Sequence, residues 1–256
     1  MKITILGCGP SHGVPSLGRG FGECDPLNPK NIRTRTSALI TTDDGKNILI
    51  DTAPEVRMQL IRAGVHQIDA VLYTHCHYDH MGGANDLCSL EGIFENKLPI
   101  YLTKKSADQF SRQLSYIVDT DKNPFELNYI EPYKAFKIDN LTITPILQYH
   151  GDEISIGYRF NDFAYSTDLK KMDKKGFELL NGIKVWILGV VSSKKSSQYS
   201  SFQKHVYLDE ALTWIEKINP DRAYLTHMGQ RMDYDTLCVS LPDNIRPVYD
   251  GLVIEI

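Results

Sequence analysis

Residues 70–80, AVLYTHCHYDH, decide how this chain is read. The first half, AVLY, is a short apolar run whose length and β-branching fit a buried strand. The second half, THCHYDH, places His75, His77, Asp79 and His80 within six positions. Imidazole and carboxylate are ligands that suit zinc, iron and manganese. Four such groups are too crowded for ordinary surface decoration, and they stand where the strand would end. A sheet fixes His75 at that end, and His77 follows two residues on in a turn. Asp79 and His80 are adjacent, so their side chains leave the backbone in different directions. One turn does not easily converge all four on a single tetrahedral ion. Two ions a few ångströms apart divide them more easily. His75 and His77 would then serve the first ion, and Asp79 and His80 the second.

The same design recurs later. His150 follows the apolar run ITPILQY, Asp168 follows FAYST, and His227 follows AYLT. Each is a metal-capable side chain just after an expected strand. A carboxylate can give one oxygen to each of two ions, so Asp168 suits a bridge. The expected set is His75, His77, His150 and Asp168 on one ion, with Asp79, His80, His227 and Asp168 on the other. Two divalent cations, Zn²⁺ or Mn²⁺, so placed would activate a bridging hydroxide as nucleophile and offset charge on phosphoryl oxygens. Each liganding imidazole also needs an acceptor for its other nitrogen, which the sequence does not name.

Around this motif, strands and helices are interspersed, with strands dominating the middle. Residues 2–6 read as a strand, and a Gly/Pro/Ser/Asn-rich stretch runs from Gly7 to about Arg33. Loops of that length in a compact domain are often functional. SALITT and NILIDT read as paired strands about the turn 43–46. Helical periodicity covers 54–63, with Pro54 in the first turn and Gly64 at the stop. A further helix is expected after Gly82 and Gly83, and another over 104–118. FKI, LTITPI, SIGYRF, FAYS, KVWILGV (184–190) and RAYLTH (222–227) read as strands. LDEALTWIEKI, 208–218, is an amphipathic helix closed by Pro220, and the tail ends in a strand. Plain βαβ repetition would give one parallel sheet. This mixture instead fits two mixed sheets packed face to face with helices on the outer faces. No linker or low-complexity tract interrupts it, so residues 1–256 are expected to form a single domain.

The 256 residues are 42% hydrophobic and 23% charged, enough for a sizeable core. A net charge of -4 and a pI of about 6.1 argue against a large nucleic-acid footprint. No apolar run is long enough to span a bilayer, and MKITILG lacks the features of a signal peptide. The five cysteines are scattered, without a CxxC pair or a disulfide framework, which fits the cytoplasm. GCGPSHG has glycines that resemble a phosphate loop but lacks its GK[ST] ending, so a nucleotide cofactor is not expected.

With the motif and the later ligands in place, the chain resembles the metallo-β-lactamase superfamily, marked by HxHxDH. His150, Asp168 and His227 occur in that family's order. The resemblance implies an α/β fold of the αββα sandwich type and a dinuclear metal-dependent hydrolase. Within it, the chain is most similar to the PhnP-like phosphodiesterases, through LGCGPSHGVP, NPKNIRTRTSALI, YSTD, KHVYLDEAL, THM and MDYDTL. That branch implies a phosphodiesterase acting on a small cyclic or nucleotide-like diester. It also implies His205 as substrate contact and general acid, with Asp79 counted among the catalytic residues as well as the ligands. The PhnP pattern includes a structural zinc site of cysteines and a histidine. Here those positions read Arg19, Phe21, Cys24 and Gln230, so that site is expected to be absent. The segment VVSSKK, 190–195, departs from the arginine-bearing pattern usual there, which bears on the substrate more than on the chemistry.

Other readings attach to single residues. His12 lies in the glycine-rich loop and would contact substrate or merely complete the loop. Arg33 and Arg35 would bind phosphate or brace that loop, with bracing favoured. Cys76 should point into the core, and His66 should lie on the surface. Rival functions are a tRNase Z-like nuclease, a thioester or lactone hydrolase, and a non-catalytic metal-binding scaffold. The expected partner is a small phosphodiester, with neither membrane nor nucleic acid. A homodimer is the prior for oligomeric state.

Overall fold

The structure is a computed structural model that describes residues 1–193 and 203–256. It divides into two compact units. One comprises Met1–Gly7, Arg35–Glu131 and Gly251–Ile256, and the other comprises Cys8–Thr34 and Pro132–Asp250.

The first unit is built on a seven-stranded mixed sheet in the order β15-β1-β2-β3-β4-β5-β6. Its strands are β1 (Lys2–Gly7), β2 (Ser37–Thr41), β3 (Asn47–Ile50), β4 (Ala70–Leu72), β5 (Leu98–Leu102), β6 (Phe125–Tyr129) and β15 (Val253–Glu255). β2 pairs antiparallel with β1 and with β3, the second pairing closed by the short turn at 43–46. From β3 to β6 every pairing is parallel, joined by helical connections. Among these helices are α1 (Val56–Arg62), α2 (Tyr78–Met81), α3 (Lys104–Gln113) and α4 (Ser115–Val118). The core gathers Leu49, Val71, Tyr73, Ile100, Phe110 and Phe125. Phe110 stands edge-on to Phe125 at 5.4 Å and tilted to Tyr73 at 5.7 Å.

Two helices differ from the sequence expectation. The helix expected over 104–118 breaks at Leu114, whose φ of -111° and ψ of 25° are not helical. The break separates α3 from a four-residue α4 of Ser-Tyr-Ile-Val, residues with poorer helix propensity. After the metal motif, α2 makes one turn before the glycines, and a 3-10 helix (Ala84–Ser89) follows them. Gly83 is needed at that junction, because a Cβ there would stand 2.2 Å from the carbonyl oxygen of Ala53.

The second unit carries an eight-stranded mixed sheet with the path β11-β8-β9-β10-β12-β13-β14, β7 pairing with β8. Its strands are β7 (Phe136–Ile138), β8 (Leu141–His150), β9 (Glu153–Phe160), β10 (Phe163–Ser166), β11 (Lys171–Met172), β12 (Val185–Gly189), β13 (Arg222–Thr226) and β14 (Ile245–Pro247). β10, β12, β13 and β14 run parallel. β8 and β9 form a long hairpin, and β9 pairs antiparallel with β10, so β8 and β10 end on the same edge. Helices α5 (Lys174–Leu179), α6 (Leu208–Ile218) and α7 (Tyr234–Ser240) complete the unit. α6 has the bounds its amphipathic pattern predicts and ends on Asn219 in the left-handed conformation, just before Pro220. Phe177 of α5 meets Trp214 of α6 edge-on at 5.3 Å. Trp186 is fully buried and donates its indole N–H to Ser166 Oγ at 3.2 Å.

Candidate metal centre

In each unit most of the metal-capable side chains follow the carboxyl end of a strand, where a sheet fixes the backbone, while His205 precedes α6. In the first unit, Asp51 directly follows β3, and His75 lies three residues beyond β4. His77 is the N-cap of α2, while Asp79 and His80 lie within it. The rings of His75 and His77 are centred 4.4 Å apart, as are those of His75 and His80. Nε2 of His75 is 2.9 Å from Nδ1 of His77. Two nitrogens held at about 2.0–2.1 Å by one tetrahedral zinc stand roughly 3.3 Å apart, so this pair fits a shared ion. Asp79 Oδ2 lies 3.4 Å from Nε2 of His80, and both residues are buried.

Asp51 organises this half. Its Oδ1 accepts the backbone N–H of Thr74 at 2.8 Å, and its Oδ2 accepts the Thr74 hydroxyl at 2.8 Å. Oδ2 also accepts Nδ1–H of His80 at 2.7 Å. The Thr74 hydroxyl gives its proton to Asp51, so it accepts from Nδ1 of His75 at 3.0 Å. These bonds protonate Nδ1 in both rings and place the lone pair on Nε2, the form a metal needs. Burial pushes the Asp51 carboxyl above its ordinary value, opposed by the charge and hydrogen bond of His80 and the bonds from Thr74. The sequence reading missed Asp51, although it stands directly after the apolar run NILI and so shares the strand-end position of the expected ligands.

In the second unit, one oxygen of Asp168 faces three imidazoles. Oδ1 is 3.3 Å from Nε2 of His227, 3.6 Å from Nδ1 of His205 and 3.9 Å from Nε2 of His150. All four residues are buried. His150 is the last residue of β8 and donates Nδ1–H to the carbonyl oxygen of Lys204 at 3.0 Å, which again puts the lone pair on Nε2. His205 stacks on His227 at 4.9 Å and meets His150 edge-on at 4.6 Å. His150, Asp168 and His205 form a group able to hold an ion. Asp168 follows β10 and His227 follows β13, with φ angles of 52° and 56°; Asp51 shares this left-handed region at 60°. Non-glycine residues there are strained by roughly 1–2 kcal/mol, a cost found where a site dictates the backbone.

The remaining candidates have other surroundings. Cys76 turns into the core, its Sγ donating to the Ser106 carbonyl at 3.2 Å, and burial pushes its thiol up to about 12. His12 and His66 are exposed. Arg35 pairs with Glu55 at 2.7 Å, and Arg33 is buried against backbone carbonyls. Gln230 Nε2 donates to Ser16 Oγ at 2.5 Å and Gly20 O at 3.3 Å, while Cys24 Sγ lies 3.9 Å from Gly229 O. Of VVSSKK, Lys194 and Lys195 lie outside the described residues.

Buried histidines and aspartates with fixed tautomers are a donor set that fits zinc or manganese, and the chain carries a dinuclear-type cluster of them. Residues 46–228 match the family model described as the beta-lactamase superfamily domain, and the chain belongs to that family. Its fold is the αββα metallo-β-lactamase type, with two mixed sheets and flanking helices.

Within the superfamily it falls in the PhnP-like phosphodiesterase branch. A solved structure described as a new diphosphatase from the PhnP family is 30% identical, with a TM-score of 0.91 over 100% of this chain and 96% of that one. An octanoyltransferase of Porphyromonas gingivalis is 31% identical over 259 residues, covering 98% of this chain and 51% of the relative. A ribonuclease Z of Clostridium tetani is 29% identical over 173 residues, covering 64% of this chain and 53% of the relative. The chain thus spans about half the length of these two curated relatives. Its similarity to the PhnP-family structure runs over the whole chain, and its histidine and aspartate groups could hold metal ions. Among the described residues, no helix is long and apolar enough to cross a membrane.

Proposed function

We propose that this chain cleaves a small cyclic or nucleotide-like phosphodiester, with residues 1–256 acting as one functional domain. His75, His77, His150 and Asp168 would hold one divalent ion, and Asp79, His80, His227 and Asp168 the other. The observation that carries this reading is the single Asp168 oxygen set 3.9 Å from Nε2 of His150 and 3.3 Å from Nε2 of His227, which puts one carboxylate beside a proposed ligand of each ion. When bound, two ions would activate water and neutralise phosphoryl oxygens. The protein's own part is to hold donors in place. Asp51, Thr74 and the Lys204 carbonyl fix the tautomers of His80, His75 and His150. His205, buried beside Asp168, is the proton donor to the leaving oxygen. Mixed nitrogen and oxygen ligation accepts Zn²⁺ or Mn²⁺, so supply decides between them. A reducing cytoplasm suits five cysteines that stand as free thiols, and a homodimer is the expected assembly.

Hydrolysis of bis(p-nitrophenyl) phosphate, lost on chelation and restored by Mn²⁺ or Zn²⁺, tests this proposal. Turnover that survives exhaustive metal removal would overturn it. The similarity to a diphosphatase favours adding a nucleoside diphosphate to the same assay. A second reading comes from the octanoyltransferase relative, half of whose length this chain matches. It makes the substrate an octanoyl thioester, and turnover of that thioester in preference to the diester would select it. Cleavage of a tRNA precursor would select the nuclease reading, against which the net charge of -4 speaks. Metal uptake with no turnover on any of these would mark a binding scaffold.

A further inference from the structure

Arg33 closes the long glycine-rich loop and is only 2% exposed. A buried guanidinium needs acceptors. Nη1 of Arg33 donates to the carbonyls of Met228 at 3.3 Å and Gly229 at 3.2 Å. Nη2 donates to the carbonyl of Met232 at 2.5 Å and to Asn31 Oδ1 at 2.9 Å. Three of these acceptors belong to the turn that begins one residue after His227. The loop and its neighbours satisfy the rest of that turn. The Gln230 carbonyl accepts from the Glu23 N–H at 2.8 Å, and the Arg231 carbonyl from Ser193 Oγ at 3.0 Å. The N–H of Met228 goes to Cys8 O at 2.8 Å, and that of Gly229 to Val191 O at 3.0 Å. Gly22 lies so close that a Cβ would stand 2.6 Å from Cβ of Gln230. Every carbonyl from Met228 to Met232 therefore has a donor; Arg33 donates to three of them, and the Gly229 carbonyl also accepts from the Met232 N–H at 3.1 Å.

What this turn carries is His227, at a φ of 56°. Histidine is among the residue types that adopt that region more readily, yet a non-glycine residue there is still strained, a cost that the surrounding bonds must offset. We infer that Arg33 is a positioning residue for the metal ligand His227, holding the following peptides so that the ring keeps its orientation toward Asp168. The inference rests on the two-ion reading. Its physical basis is the location of the bonds, since rotation of the peptides at 228 and 229 would swing the imidazole away.

The test uses full-length wild-type protein, Arg33→Met, Arg33→Lys, and Ile215→Ala as a remote destabiliser in α6. Zinc binding to chelator-stripped protein is read by isothermal titration, and apo stability by calorimetry. Wild type should bind two ions. Arg33→Met should bind the second about 10–100-fold more weakly. Arg33→Lys should fall between, because a single ammonium cannot reach Met228, Gly229 and Met232 as a planar fork does. Ile215→Ala should lower Tm with no change in affinity. If Arg33→Met does not fold, the Arg33→Lys affinity decides. Folded Arg33 variants that lose Tm yet bind both ions as wild type does would overturn the positioning role. Wild type that binds fewer than two ions would overturn the two-ion reading, and this role with it.

Discussion

Asp51 Oδ2 lies 2.7 Å from Nδ1 of His80, and neither side chain is exposed. The same carboxylate takes both the N–H and the hydroxyl of Thr74, and Thr74 in turn orients His75. One aspartate thus sets two of the expected ligands. Asp51→Ala should weaken metal binding by about 10–100-fold, as loss of an outer partner does elsewhere. It should also lower apo stability by about 1–3 kcal/mol for each buried donor left without an acceptor. Competition against a zinc chelator and a melting curve of apo protein read the two effects separately.

Asp168 is the residue whose loss should change stoichiometry as well as affinity. Its Oδ1 faces His150, His205 and His227 within 3.9 Å. In Asp168→Asn the size is kept, but the neutral amide binds metal poorly and has one oxygen to give. Elemental analysis should find about one ion in place of two. Diesterase turnover should fall by more than the roughly 10–100-fold that loss of an outer partner brings. Two ions retained at full turnover would exclude the shared-carboxylate role.

How much of this was legible depended on whether the signal was local. THCHYDH packs its donors into one turn, so the motif alone announces a metal site. His150, Asp168 and His227 stood out as candidates because each follows an apolar stretch, and helix 208–218 was legible because its periodicity is unbroken. Asp51 sits at the same kind of strand end, yet its partners Thr74 and His80 lie 23 and 29 positions away. A lone aspartate after a strand reads as a turn residue until the parallel pairing of β3 with β4 brings Thr74 beside it. Arg33 was legible as a brace but not as a brace of His227, because its acceptors are carbonyls 195–199 positions on. Carbonyls leave no mark in a sequence. The break at Leu114 was hidden for a related reason: the apolar spacing continues through it while the backbone does not.

His205 is buried, with Nδ1 3.6 Å from Asp168 Oδ1, in a group that could itself hold an ion. Its proposed role predicts a split between chemistry and binding. His205→Ala should cut turnover about 10²–10⁴-fold and leave metal content intact. The loss should be larger for diesters with alkyl or ribosyl leaving groups than for p-nitrophenyl esters, since a good leaving group needs little help from an acid. Equal losses on both substrates, together with a missing ion, would make His205 a ligand instead.

Asp233 links the loop to α7 and supplies a pH signature. Burial alone would raise its carboxyl, but N–H groups of Thr236 and Asp25, the Thr236 hydroxyl and the Asn31 amide outweigh it and hold the value at about 2. The unfolded carboxyl titrates near 3.9. A depressed acid contributes stability above its unfolded value and loses it as pH falls through its folded one. The Asp233 contribution should therefore be whole at neutral pH and fade between about pH 4 and pH 2. Its partial exposure limits the gain, so Asp233→Ala should cost about 1 kcal/mol, the usual worth of an N-cap. Urea titrations of wild type and variant at pH 7, 4 and 2.5 should show two curves apart at neutral pH that draw together in acid. A gap that stayed constant with pH would assign the loss to packing and not to the carboxylate.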